Sequence, residues 1–286
     1  MTASMQANFE HCAALVREAD ADRYLATLFA PAERRGALYA LYAFNVEIGR
    51  VRELAREPIP GEIRLQWWRE ALEGKREGEA RAHPVAAALR DTIERYALAV
   101  EPLVALVDAH EFDIYDRPMA SLTDLDIYAE RTDGAACALA ADILGERLPA
   151  ASGVIRHAGI AQTVAGILGE LGRDASRRQL FLPLDVLTRH GVDPESIFAG
   201  ETTDGLRAAL AEMRLYARRQ LAAARASVSV VRDEIMPALL PLAVVPPMLA
   251  RMERPDYEPF RFVPAPRWRR QWRLWRAARN PQRIFG

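Results

Sequence analysis

At 286 residues, half of them hydrophobic, the chain is long enough to bury a substantial core in one large domain or two small ones. A formal net charge of −1 provides no global field that would draw it to nucleic acid or to an acidic partner. The two cysteines, Cys12 and Cys137, lie far apart without metal-type neighbours, as expected of free thiols in a reducing compartment.

The chain opens without a basic region followed by an apolar run, so no secretory signal is expected. Periodicity is helical almost throughout, and no alternating strand pattern stands out. Pro31 occupies the first-turn position of a helix expected to reach about Ala55, with Leu38, Leu41, Tyr42, Asn45 and Gly49 on one side. A second helix is expected from Ile63 to Gly74. Pro84 opens another to about Tyr96, and Pro102 one to about Tyr115. Ser121-Leu122-Thr123-Asp124 is a helix-start signature, and the helix it opens should stop at Gly145. Further helices are expected over Gly153 to Gly172, Pro194 to Phe198 and Asp204 to Val231. The longest apolar stretch, Met236 to Ala250, is short for a membrane span and carries Pro237, Pro241, Pro246 and Pro247, so it reads as a buried, broken helix. Residues 1–263 form one expected all-α domain, and residues 264–286 a basic Trp- and Arg-rich helix or tail.

That tail holds seven arginines and no acidic residue. Trp268, Trp272 and Trp275, spaced four and three apart, share one helical face. A basic helix with such a face suits an anionic membrane surface; packing of the tryptophans onto the domain is the alternative. Elsewhere, His11, His83, His110, His157 and His190 show no ligand-type spacing, and the stretch Asp108, Glu111, Asp113 and Asp116 reads as a solvated helix edge. No phosphate-cradling glycine loop or nucleotide fingerprint is present.

Two segments carry more specific information. Leu38 to Glu53 resembles the first signature helix of the squalene/phytoene synthase family, where an Asp-Asp-x-x-Asp cluster holds magnesium against a prenyl diphosphate. The matching positions here read Gly49, Arg50 and Glu53. Residues 159–183 resemble the second signature, with Gly166, Gly169 and Glu170 in place of its asparagine, arginine and first aspartate. Asp174 is retained, and Phe181 replaces a tyrosine. Carboxylates four apart share a helix face, and two such helices can present oxygen ligands to Mg²⁺. Exchanging a carboxylate for arginine changes local charge by two units, and each unit pair is worth about 4 kcal/mol at about 4 Å and an effective dielectric near 20. Such a site should not keep its metals.

The sequence is most similar to one branch of that family, the aspartate-depleted assembly factors of mitochondrial complex I and their bacterial relatives. Ala43-Phe44-Asn45-Val46-Glu47, Arg64-Leu65-Gln66-Trp67-Trp68, Tyr128-Ala129-Glu130-Arg131-Thr132 and the run from Ser176 to Pro183 carry this resemblance. It implies an all-α, isoprenoid-synthase-like helical bundle around a central cavity. It further implies a non-catalytic protein that assists assembly of respiratory complex I, its partner being a complex I subunit or assembly intermediate. Under that reading no cofactor is expected, and Tyr42, Asn45, Arg50, Arg177 and Arg178 are the residues of a degenerate substrate site. Two alternatives stay open. One is a working Mg²⁺-dependent prenyltransferase that condenses two isoprenyl diphosphates, with Glu170, Asp174 and Glu53 as metal ligands and Arg177 or Arg178 on diphosphate. The other is a carrier of an isoprenoid or lipid ligand. The expected location is cytoplasmic, or peripheral on the inner face of the membrane through Trp268, Trp272 and Trp275.

Overall fold

The run from Ala37 to Phe44 is buried on every side, which marks its helix as the centre of the molecule rather than an amphipathic wall. A computed structural model describes residues 3–54, 57–115, 117–145, 149–228 and 233–286. The expected helix ends at Ala55 and Val231, and Asp116 of the acidic stretch, lie outside the described residues.

In chain order, α1 (Ala3–Ala19) and α2 (Ala21–Thr27) precede the central α3 (Ala32–Gly49), which is followed by the short α4 (Val51–Leu54). Arg50, at φ −92° and ψ 1°, breaks what the pattern presents as one helix, and the break falls at Gly49, a poor helix former. Next come α5 (Pro58–Leu72), α6 (Glu77–Ala82), α7 (Pro84–Tyr96) and α8 (Glu101–Ala109). Pro58 and Pro84 sit in first turns, where their missing N–H groups cost nothing. The last turn expected of α8 is instead a 3₁₀ turn over Phe112–Ile114.

Helix α9 (Leu122–Ala129) starts where its signature predicts: Ser121 Oγ accepts from the Asp124 amide at 3.2 Å and donates to its carboxylate at 2.6 Å. It passes through a π-turn, Glu130–Gly134, into α10 (Ala135–Leu144), which Gly145 ends in the left-handed region at φ +97°. The long α11 (Pro149–Ser176) packs along α14 (Asp204–Ser227), with the short α12 (Leu184–Arg189) and α13 (Pro194–Phe198) between them in sequence.

The proline-rich stretch is buried and broken into α15 (Met236–Leu239), a 3₁₀ segment (Leu240–Val244) and α16 (Val245–Met252). Residues 233–252 are apolar and long enough to pass for a span, yet 61% of the most apolar window is buried inside the fold. The tail forms α17 (Arg267–Arg279), which docks on α2 and on Leu240–Val244 through buried Leu274 and Ala277, joined by an Arg270–Asp22 ion pair. No strand occurs among the described residues. The two cysteines are free, and burial pushes each thiol up to about 12.

Candidate functional site

The C-terminal part of α3, the π-turn and α11 enclose a cavity of about 230 Å³. The first signature contributes Asn45, Gly49, Arg52 and Glu53, and the second contributes Gly166, Glu170, Arg173, Asp174 and Arg177. The two matched segments therefore do face each other across one space.

Guanidinium groups meet the carboxylates there. Arg173 reaches Glu53 at 3.5 Å and Asp174 at 3.7 Å, and also pairs with Glu170. Arg177 reaches Glu53 at 3.3 Å. Burial first, and the neighbouring Glu170 next, push the Asp174 carboxyl up to about 7 against the pull of Arg173. Burial likewise raises Glu170, with Arg173 opposing it. These donors do not fit a divalent-cation cluster. Glu53, Glu170 and Asp174, the carboxylates at the matched positions, already face guanidinium groups, and no group of three or more His, Cys, Asp or Glu among the described residues is placed to hold a metal ion.

A second ion pair lies deeper. Arg23, 7% exposed, donates to Asn45 Oδ1 and, at 2.6 Å, to Asp133 Oδ1. Thr163 Oγ1 donates to the other Asp133 oxygen at 2.8 Å. Asp133 belongs to the π-turn, whose extra residue lets Thr132 and Asp133 both line the cavity. Gly159 makes room for that turn: a Cβ there would lie 2.6 Å from the backbone N and Cα of Gly134.

The third group is His110, whose Nδ1 meets Asp113 Oδ2 at 2.6 Å, while Tyr128 donates to Asp113 Oδ1 at 3.0 Å. Gln179 donates to the Asp113 carbonyl at 2.7 Å. Burial and the Asp113 carboxylate hold the Tyr128 phenol well above its ordinary range. His110 and Asp113 thus line the cavity rather than standing on a solvated edge, because the 3₁₀ turn after α8 turns Asp113 inward. Phe181, the residue in place of the tyrosine, packs on Phe112 and Tyr128 at centroid distances of 5.7 and 5.9 Å.

Of the residues singled out as a degenerate substrate site, Asn45 and Arg177 line the cavity. Tyr42 is buried beneath the Arg23 guanidinium, 5.3 Å from its ring centroid. Arg50 is not among the lining residues and approaches Glu53 at 3.9 Å. Arg178 turns away altogether, pairing with Glu195 at 2.6 Å and lying over Phe198 at 4.6 Å. Glu53, Glu170 and Asp174 all line the cavity. Trp268, Trp272 and Trp275 lie far from it in sequence, on the outer side of α17, and are 63%, 54% and 37% exposed.

Arg23, Asp133, Thr163 and the His110–Asp113 pair are the site residues that motif matching passes over. Asp133 carried a signal: it is the lone acid between a matched segment ending at Thr132 and a run of alanines.

A family model described as squalene/phytoene synthase matches residues 16–276. A rat protein named NADH dehydrogenase (ubiquinone) complex I, assembly factor 6 is 32% identical over 250 residues, covering 87% of this chain and 75% of its own. The human protein of that name is 30% identical over the same span. Phytoene synthase 1 of Arabidopsis thaliana is 29% identical over 205 residues, covering 68% of this chain and 48% of its own. Among solved structures, a squalene synthase from Alicyclobacillus acidocaldarius superposes with a TM-score of 0.78 at 24% identity, covering 91% of this chain and 98% of that one. A dehydrosqualene synthase gives the same TM-score at 17% identity, covering 97% of each chain.

Proposed function

The chain belongs to the squalene/phytoene synthase family, and from that premise we propose that it is a non-catalytic member that assists assembly of respiratory complex I. The observation that carries the reading is Arg173. Its guanidinium stands among Glu53, Glu170 and Asp174, the positions where the family resemblance places metal-bound carboxylates. A diphosphate leaving group needs divalent cations to take up its charge, and a cation tethered to the protein occupies their carboxylates here. The relatives named as complex I assembly factors match this chain over most of its length, which gives the reading its biological direction. The client is then a complex I subunit or assembly intermediate.

Two experiments test this proposal separately. Incubation with farnesyl or geranylgeranyl diphosphate and Mg²⁺ is expected to release no pyrophosphate; release would restore the transferase reading. Deletion of the gene is expected to lower complex I activity, and unchanged activity would refute the assembly role. The transferase reading keeps one point in its favour, that Glu53, Glu170, Asp174 and Arg177 all line the same cavity. The carrier reading has less: charged and polar side chains dominate the lining, which suits a hydrocarbon chain poorly.

A further inference from the structure

We propose that α17 is a membrane-docking element, which lays its tryptophan edge on an anionic phospholipid surface and takes a headgroup phosphate into the arginine-lined cavity beside Trp272. This inference stands apart from the assembly role and from the central cavity.

Helix geometry separates two sides of α17. At 3.6 residues per turn, Trp268, Trp272 and Trp275 fall within an arc of about 60°, and the buried Leu274 and Ala277 lie on the opposite side. The tryptophans are therefore not core residues caught at an edge; they lie on the side of the helix opposite its buried residues. Exposed aromatic surface of this extent marks a contact site. Val263, just before the helix, is 69% exposed and adds to it.

Charge identifies the occupant. Of the seven tail arginines, Arg270 alone is in an ion pair among the described residues, and it lies on the docked side with Asp22. Arg267, Arg269, Arg273, Arg276, Arg279 and Arg283 are exposed, and the tail has no acidic side chain to offset them. A cavity of about 430 Å³ is lined by Arg269, Trp272, Arg273, Arg276 and Arg283, with Ala243 and Gly286. Guanidinium groups converging beside an indole suit a phosphate held at the headgroup level.

Ring geometry favours lipid over single-stranded nucleic acid. Trp272 and Trp275 stack on each other, with centroids 4.9 Å apart and planes at 19°, and Arg279 lies 3.8 Å over Trp275. Arg269 lies over Trp268 at 5.1 Å. Base stacking needs free ring faces, and here both faces of Trp275 and one face each of Trp272 and Trp268 are already taken. Insertion at a membrane interface uses the outward edges that remain.

The test uses the full chain with phosphatidylcholine vesicles, with and without phosphatidylglycerol, read by co-sedimentation and tryptophan emission. Binding with a blue shift is expected only when phosphatidylglycerol is present, and it should weaken with salt. R273Q and R276Q should each weaken binding about fivefold, the equivalent of about 1 kcal/mol per basic residue at an anionic surface. The triple substitution W268A/W272A/W275A should abolish the blue shift while circular dichroism stays unchanged, since all three side chains lie off the docked side. Should that variant aggregate, the arginine series decides alone. Equal binding to neutral vesicles, wild-type behaviour of the arginine variants, or no binding would overturn the proposal. So would inorganic phosphate bound tightly without vesicle association, or an oligonucleotide preferred over vesicles.

Discussion

Replacing Arg173 by alanine probes the proposed exchange of metal for guanidinium most directly. The side chain contacts Glu53 at 3.5 Å and Asp174 at 3.7 Å and pairs with Glu170, while remaining 47% exposed. Partly exposed pairs are worth about 0.2–1 kcal/mol each, so three contacts put the expected loss at about 0.6–3 kcal/mol. The loss has a pH signature. Asp174, pushed up to about 7 by burial and then by Glu170, is protonated at pH 5.5 and gives Arg173 little to compensate there. It is ionised at pH 8.5, where the full penalty should appear. R173A also leaves Glu170 and Asp174 without their ion-pair partner, while Glu53 keeps Arg177, so Mn²⁺ should stabilise the variant and not the wild type. A divalent ion at ten times its Kd would contribute about 1.4 kcal/mol. Urea denaturation followed by circular dichroism, at both pH values and with and without Mn²⁺, measures all three effects. R173A as stable as wild type at pH 8.5, or a loss indifferent to both pH and Mn²⁺, would refute the reasoning.

The remaining substitutions address single contacts. Asp174 has a folded-state pKa raised from 3.8 to about 7, so the stability linked to its proton is complete below about pH 4 and lost as pH rises through 7. D174N should therefore gain on wild type above pH 8, by at most about 4 kcal/mol for a shift of about three units at 1.4 kcal/mol each, and show no gain at pH 4. R23M strands Asp133 at the floor of the cavity and should cost about 3–5 kcal/mol in thermal denaturation, with D133N added to the same chain recovering part of it. G172A would place a Cβ 2.1 Å from the Phe260 carbonyl oxygen and should cost about 1–3 kcal/mol. G166A, where a Cβ meets nothing within 4 Å, should be neutral or stabilising by up to about 1 kcal/mol.

The glycines show where sequence reading reached its limit. Three in seven residues of α11 imply either close packing or room for a ligand, and the helical pattern cannot choose between them. The structure uses both: Gly172 admits the backbone of Phe260, Gly169 admits the Met248 methyl, and Gly166 opens onto the cavity. Helix positions were legible at Pro84, Ser121 and Gly145, whereas α11 starts before the expected Gly153 and runs past the expected Gly172 to Ser176. The break at Arg50 follows Gly49, which the pattern reads as a mid-helix residue. Of two residues that the pattern places on one helix, Glu53 lines the cavity and Arg50 does not.

A motif records what a chain has lost at fixed positions, whereas compensation is free to come from anywhere the fold brings near. Arg23 and Asp133 are 110 residues apart, and no spacing rule connects them. Their meeting depends on the π-turn, a one-residue excess that helical periodicity cannot register, and on Gly159 clearing space for its backbone. Arg173 was visible as a residue, but its pairing with Glu53 requires α4 and α11 to face each other across the cavity. The lost carboxylates were therefore readable one position at a time. The ion pairs that line the cavity are a property of the folded chain, and under the proposed reading their guanidinium groups stand where a metal's charge would.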